Sequence, residues 1–131
     1  MLREHEIDIR VRYTEVDPGG FLHHGNYFTY FEMGRTELLR ASGHSYHRME
    51  EEGFFVVVVR LECRYFRPAK YDETLRLRTT VTRVTTARIE HDYRLFREGE
   101  LLAEAHMVMA CVDGEGRPQR LPEWLRIELD A

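Results

Sequence analysis

The segment DPGGFLHHGNY, residues 17–27, gathers side chains suited to acid–base chemistry within a stretch rich in turn formers. Asp17 precedes Pro18, which disfavours helical backbone at the acid. Gly19 and Gly20 permit positive φ and a close approach of a ligand to the backbone. A helical pattern begins a few residues later, and a helix start presents unpaired N–H groups at the positive end of its dipole. A carboxylate beside such donors suits acyl transfer, in which each oxyanion donor contributes on the order of 3 kcal/mol.

The same residues also have simpler interpretations. The DPGG run is a common turn sequence in which Asp17 serves as the turn-forming acid, and the local residues alone favour this reading. A loop histidine is more often solvated or hydrogen-bonded than a ligand. His23 and His24 lack a partner four residues away, and Cys63 and Cys111 belong to no C-x-x-C pair, so neither set has the spacing of a metal site. We therefore expect no bound metal.

Composition narrows the class of protein. A chain of 131 residues with a net charge of −4 and a pI near 6.0 has no general attraction for nucleic acid or anionic membranes. Its N-terminus, MLREHEIDIR, is charged and lacks the apolar core of a signal peptide. No apolar run approaches the ~18 residues needed to span a bilayer. We expect one domain over residues 1–131, in the cytoplasm, with neither nucleic-acid nor membrane partners.

Period-two alternation of apolar and polar residues predicts about five strands. The predicted strands lie at residues 7–13, 54–65, 75–82, 89–95 and 101–113. In the second strand the alternation places the following side chains on one apolar face: Val57, Val59, Leu61, Cys63 and Tyr65. Half of each strand is polar, which is typical of an antiparallel sheet covered on one side.

Helical spacing of apolar residues predicts the covering element. The residues that share this helix face are Tyr27, Tyr30, Phe31, Gly34, Leu38 and Ala41. Asn26 is the expected N-cap and Gly43 the expected stop. Because Gly34 costs ~1 kcal/mol relative to Ala in a helix, we expect a close contact with the sheet there. The predicted fold class is α+β, with one long central helix wrapped by a five-stranded antiparallel sheet. Long strand edges are usually paired, which predicts a homodimer or homotetramer.

The segment RVRYTEVDPGGFLHHGNYFTYFEMGRTELLRASG resembles the signature of the 4-hydroxybenzoyl-CoA thioesterase family. These are hotdog-fold acyl-CoA thioesterases, including bacterial enzymes associated with the Tol–Pal system. The matching positions are Tyr13, Asp17, Gly20, His23, His24, Asn26, Tyr27 and Arg35. The later YFRPAKYDE also resembles the family, and the likeness extends over residues 5–125. Pro18 and Gly19 replace residues that are usually Ala and Met in relatives.

The resemblance implies an acyl-CoA thioesterase and roles for individual residues. It makes Asp17 the catalytic acid, either as nucleophile on the thioester carbonyl or as general base for water. It makes the backbone N–H of His24 or Gly25 the donor that polarises the carbonyl, and the His24 side chain would assist. Tyr13 would line the site or orient the acid. Alternatively, Tyr13 continues the apolar face that begins at Ile7.

The resemblance also implies how the substrate is held. Gly20 and Tyr27 would contact the bound acyl-CoA. Relatives lay coenzyme A across a subunit boundary with its phosphates on basic side chains, for which Arg67, Lys70 and Arg88 are the candidates. Coenzyme A is part of the substrate, so no separate cofactor is expected.

Two other functions remain open from the sequence. Other hotdog proteins are hydratases or dehydratases of acyl thioesters, and others bind acyl-CoA without turnover. The acyl group that is preferred and the choice between dimer and tetramer are also open.

Overall fold

A five-stranded antiparallel sheet forms the body of the protein, as the sequence predicts. The computed structural model describes the backbone of residues 1–130 and the side chains of residues 1–126. The elements in chain order are β1 (Glu4–Arg10), a 3-10 turn (Tyr13–Glu15), α1 (Asn26–Ala41), α2 (Tyr46–Glu51), β2 (Phe55–Tyr65), β3 (Thr74–Val84), β4 (Arg88–Arg97), β5 (Glu100–Val112) and α3 (Glu123–Asp130). The strand order is β1-β3-β4-β5-β2, which leaves β1 and β2 as the two edges.

Helix α1 covers one face of the sheet and buries the apolar stripe predicted for it from Tyr27 to Leu38, whereas Ala41 at its end is exposed. Tyr30, Phe31 and Leu38 are fully buried, and the ring of Phe31 stacks on Tyr93 of β4 with centroids 4.7 Å apart. The helix packs mainly against β1 and β3. Gly43 has φ 86° and ends the helix, as expected. Among the described residues, no helix has the length and apolar character required to cross a bilayer.

A β-bulge in β2 makes the predicted face wrong at Val57 and Val59, while Leu61 and Cys63 lie on it as predicted. The pairing of β2 with β5 shifts between Val58 and Arg60, so Val59 has no partner on β5. The alternation of side chains between the two faces of the sheet is therefore reversed beyond Val59. Val56, Leu61 and Cys63 pack against the core, whereas Val57 and Val59 do not join them. An inserted residue breaks the period of two without changing the composition of the strand.

Two boundaries near the helix start also differ from the sequence prediction. Strand β1 ends at Arg10, and Tyr13 lies in the 3-10 turn that follows, so Tyr13 does not continue the apolar face begun by Ile7. The N-cap position of α1 is Gly25 rather than Asn26. The side chain of Asn26 instead donates from Nδ2 to the carbonyl oxygen of Glu15, 2.9 Å away.

The contact between α1 and the sheet is closest at Gly34, which confirms the sequence prediction. A Cβ atom at Gly34 would lie 2.7 Å from Cδ2 of Leu77 and closer still to Oγ1 of Thr79. Both neighbours are fully buried residues of β3. Because the interior is close-packed, neither can move aside without disturbing other contacts.

We therefore expect Gly34→Ala to destabilise the protein by about 1–3 kcal/mol, although alanine is the better helix former by ~1 kcal/mol. Urea denaturation measures the difference. Met33→Ala, at the exposed neighbouring position, is the control and is expected to change stability little. The double variant Gly34→Ala/Thr79→Ala is expected to recover part of the loss, because it removes the nearest clashing atom. Additive losses would contradict the close contact.

Candidate active site

Residues 15–23 form a small closed loop at the point where the chain passes from β1 to α1. Val16 and Leu22 face each other in an antiparallel bridge, and Asp17 N donates to Phe21 O at 2.8 Å. The turn at the tip is closed by Gly20 N, which donates to Asp17 O at 2.9 Å. Gly20 has φ 86°, a left-handed conformation that side chains with Cβ rarely adopt. The glycine is required by the turn itself.

The two oxygens of Asp17 have different environments. Oδ1 accepts hydrogen bonds from Gly19 N at 2.9 Å and from Phe21 N at 3.1 Å, which is the pattern of a turn-forming aspartate. Among the described residues, no donor is hydrogen-bonded to Oδ2. Oδ1 therefore has the role of a turn-forming acid, as in the simpler interpretation of this segment. Oδ2 is not used by the turn, and Asp17 is half-buried on the cleft wall.

The entrance of α1 lies beside this loop and holds its peptide groups in defined directions. Tyr65 of β2 donates its hydroxyl to His24 O at 3.0 Å, while Gly25 N donates to Nδ1 of His23 at 3.1 Å. The His23 and His24 rings stack with centroids 4.3 Å apart. Within the described part of the chain, His24 N has no hydrogen-bond acceptor. Of the two amides named from the sequence, the His24 amide is thus the uncommitted one.

Glu15 ties the base of the loop to its surroundings and is almost fully buried, with 4% of its surface exposed. Its Oε1 accepts from Tyr30 OH and from Arg12 N, both at 2.7 Å, and its Oε2 accepts from Arg12 Nη2 at 3.0 Å. Burial alone would raise the pKa of Glu15, but the hydrogen bonds from Arg12 and Tyr30 outweigh it and hold the pKa below its ordinary value. The buried group is therefore a carboxylate.

The loop and the helix entrance form one wall of a surface cleft, and the segment that follows β2 forms the other. The lining residues are Asp17, Leu22, His24, Tyr27, Tyr65, Phe66, Arg67 and Pro68. The cleft has a volume of ≈ 340 Å³, at the low end of the roughly 300–1,000 Å³ typical of small-molecule sites. The aromatic part of its wall is an edge-to-face pair, Tyr27 with Tyr65, whose centroids are 4.8 Å apart.

Four residues singled out from the sequence therefore meet in this cleft, namely Asp17, His24, Tyr27 and Arg67. The Arg67 guanidinium is bonded at 3.2 Å to Glu100 and keeps most of its side chain in solvent. Gly20 closes the adjacent turn rather than lining the cleft.

Three other predicted site residues lie outside the cleft of their own chain. Tyr13 is 75% exposed and packs edge-to-face on Tyr71. Lys70 is exposed, and its backbone pairs with Phe21 in an isolated bridge. Arg88 begins β4, and the cleft residue Tyr65 is level with Leu95 of that strand. Arg88 therefore lies about 23 Å from the level of Tyr65 along β4, at ~3.3 Å per residue.

Sequence reasoning missed the roles of Glu15 and Tyr65. The sequence pattern places Tyr65 on a strand face, but its hydrogen bond to His24 joins residues 41 positions apart, which no local pattern reveals. The signal in the sequence for the role of Glu15 is its place beside the apolar Val16, in a segment that must be packed. In the described residues, no cluster of three or more His, Cys, Asp or Glu side chains is placed to hold a metal ion.

Comparison with known proteins identifies the family of the chain. Residues 19–104 match the thioesterase superfamily. The chain is 36% identical over 117 residues to the acyl-CoA thioesterase YbgC of Haemophilus influenzae, covering 88% of this chain and 86% of the relative. The structure of the hypothetical protein TT1821 from Thermus thermophilus has a TM-score of 0.91 at 36% identity, covering 95% and 96% of the two chains. The DHNA-CoA thioesterase of Staphylococcus aureus has a TM-score of 0.89 at 29% identity, covering 97% of this chain and 87% of its own.

The family match covers α1 and strands β2 to β4 and begins two residues after Asp17, whereas the relative and the two structures each cover 88% or more of this chain. They confirm the hotdog fold and the assignment to the thioester hydrolases that the sequence motif predicted. The chain belongs to the thioesterase superfamily.

Proposed function

We propose that the protein hydrolyses acyl-CoA thioesters to a carboxylate and free coenzyme A, with Asp17 as the catalytic acid. The observation that carries this proposal is the split environment of Asp17. One oxygen is anchored by two backbone N–H groups, the other has no donor among the described residues, and Asp17 as a residue lines a cleft that also holds His24, whose amide is uncommitted. A purely structural turn acid needs no cleft at its second oxygen.

The anchored oxygen orients the reacting one. The two bonds to Oδ1 restrict rotation of the carboxylate, so Oδ2 keeps one direction relative to the cleft. In one route Oδ2 attacks the thioester carbonyl, the C–S bond breaks with release of the thiolate, and water then hydrolyses the resulting anhydride. In the other route Oδ2 takes a proton from water as the water attacks the same carbonyl. Both routes use the same oxygen atom.

The amide of His24 is the better donor to the developing oxyanion. In a trans peptide the N–H points opposite to the C=O. Tyr65, a residue of the cleft wall, holds the His24 carbonyl oxygen, so the N–H of that same peptide, which belongs to Gly25, points away from Tyr65 and bonds to His23. A free amide of this kind contributes on the order of 3 kcal/mol when it meets the charge of the transition state.

The position of Arg67 in the cleft suits the phosphates of coenzyme A. It is the only Arg or Lys among the residues that line the cleft. Its pairing with Glu100 is exposed, and such pairs contribute little, so a phosphate competes readily for the guanidinium. The apolar faces of Tyr27 and Tyr65 are then left for the acyl and pantetheine portions of the substrate.

A second copy of the chain would complete this site by pairing at the β2 edge. Val57, Val58 and Val59 are 43–49% exposed there, and an exposed apolar edge strand invites another strand. Antiparallel pairing centred on Val58 places Phe55 of one copy opposite Leu61 of the other. The cleft residue Tyr65 ends this same strand, so pairing there would fix the position of one cleft wall.

We expect Asp17→Asn to lower kcat by at least about 10²-fold, because the amide has no basic oxygen to attack or to accept a proton. The measurement is release of free thiol over a panel of saturated acyl-CoAs, which a hydratase or a non-catalytic binder would leave intact. Asp72→Asn is the matched control, since Asp72 is an acid of an exposed loop bonded to Arg10 and asparagine tolerates its φ of 69°.

In the same assay, His24→Ala is expected to lose less than Asp17→Asn, because the proposed carbonyl contact comes from the His24 backbone. An equal loss would make the imidazole a principal catalyst. Parent-level turnover by a folded Asp17→Asn protein would refute the assignment of Asp17.

We expect Val58→Lys to shift the protein to monomers and to lower kcat/KM, because a charge in the apolar edge opposes strand pairing. Light scattering coupled to size-exclusion chromatography gives the mass, and thiol release gives the activity. Thr82→Lys, at an exposed position of the interior strand β3, is the control. A fully active monomer would show that the site needs no second copy.

A further inference from the structure

One carboxylate connects the turn after β1, the loop that carries Asp17 and helix α1. Tyr30, in the second turn of α1, donates to Oε1 of Glu15 at 2.7 Å. The backbone N–H of Arg12, the N-cap of the 3-10 turn, donates to the same oxygen at 2.7 Å, and the Arg12 guanidinium donates to Oε2 at 3.0 Å. Glu15 itself is the first residue of the loop that carries Asp17. Its side chain thus bonds the start of the 3-10 turn and the helix from the base of the loop.

The main chain of Glu15 adds two more connections from the same position. Its carbonyl oxygen accepts from His23 N and from Nδ2 of Asn26, both at 2.9 Å. His23 is the residue at which the loop closes, and Asn26 is the first residue of α1. The loop is therefore closed at Glu15 and attached to the helix through both the backbone and the side chain of this residue.

These contacts make Glu15 the point from which two catalytic groups take their relative position. Asp17 is two residues along the loop in one direction, and the His24 amide follows the loop in the other. Tyr30 fixes Glu15 to the rigid helix, since burial and then the hydrogen bond to Glu15 raise the pKa of Tyr30 and keep it a donor. A displacement of 1 Å between reacting groups is enough to cost about 10²-fold in rate.

We propose that Glu15 is a positioning residue of the active site, which acts through its bonds to Tyr30 and Arg12 to hold the Asp17 carboxylate at the entrance of α1. This inference rests on the proposed function for its effect on turnover. Its structural content, a loop held in register with the helix, is measurable without turnover. Glu15 touches no substrate and transfers no proton.

Three variants separate the parts of this device. Glu15→Ala removes every side-chain bond, and we expect kcat to fall about 10²-fold with KM changed less than about threefold. Glu15→Gln keeps one acceptor oxygen for Tyr30 and Arg12 N and loses only the bond from the exposed Arg12 guanidinium, so it should retain most of the activity that Glu15→Ala loses. Tyr30→Phe removes only the link to the helix and should lower kcat about 10-fold. Combining Tyr30→Phe with Glu15→Ala should add no further loss, because both act through one bond.

Loss of stability alone has to be distinguished from loss of position. Ile89→Val is the control, since Ile89 is buried in β4 next to Arg88, at the end of that strand remote from the cleft. It lowers stability by removing a methylene group and should leave kcat at the parent value. If kcat falls with melting temperature in Ile89→Val by the same proportion as in the Glu15 variants, Glu15 has only a structural role. Should Glu15→Ala fail to fold, Glu15→Gln and Tyr30→Phe carry the comparison.

Amide hydrogen exchange tests the position of the loop directly. The N–H groups of Gly19 and Phe21 donate to Asp17 Oδ1, and we expect their exchange to accelerate at least about 10-fold in Glu15→Ala and in Tyr30→Phe. Glu115 N, which donates to Asp113 in a distant turn, should be unaffected. Unchanged exchange at Gly19 and Phe21 overturns the proposal.

The two proposals fail in different ways. If Asp17→Asn is as active as the parent but exchange at Gly19 and Phe21 accelerates in the Glu15 variants, the catalytic role of Asp17 is wrong and the positioning of the loop stands. If Asp17→Asn is inactive while Glu15→Ala and Tyr30→Phe keep the parent kcat, the function stands and Glu15 positions nothing that matters for it.

Discussion

The close contact of α1 with the sheet at Gly34 is the constraint on which the rest of the molecule depends. With no side chain at this position, the helix backbone lies directly on Leu77 and Thr79 of β3, and stacking of Phe31 on Tyr93 sets the same approach over β4. Because the middle of the helix is fixed against the sheet, its N-terminal end is fixed as well. The N-terminal peptides of α1 are therefore held at one place on the sheet, and the cleft is built around them.

The fixed helix in turn positions the loop that carries Asp17, which buries little apolar surface of its own. The loop carrying Asp17 contributes Leu22 to the core cluster and packs Val16 against it, so hydrogen bonds must hold the rest of the loop. Those bonds converge on Glu15 and on Oδ1 of Asp17. A buried carboxylate is costly unless its oxygens find donors, and both oxygens of Glu15 do so, with Tyr30 and Arg12 N on Oε1 and Arg12 Nη2 on Oε2. Polar burial here stabilises one loop conformation and leaves Oδ2 of Asp17 out of the network.

Sequence periodicity predicted the fold because it depends on local alternation, which the strands and α1 display plainly. The bulge at Val59 lies outside that signal, since one extra residue reverses the side-chain faces without changing residue types. The roles within the site depend on contacts between distant positions, such as Tyr65 with His24 and Tyr30 with Glu15, and no spacing rule encodes them. Asp17 itself was found by its residue type and by resemblance, whereas the division between its two oxygens required coordinates.

The edge strand β2 connects the cleft to the proposed assembly. Its last residue, Tyr65, belongs to the cleft wall and holds the His24 peptide, while its first half presents three exposed valines. A strand transmits displacement along its length because its hydrogen bonds to β5 and its side-chain packing are shared by successive residues. Pairing at the valines would therefore stiffen the strand that orients the His24 peptide and, in the same step, cover the apolar edge. Dimer formation would thus be coupled to the orientation of the His24 peptide, since both depend on where β2 lies.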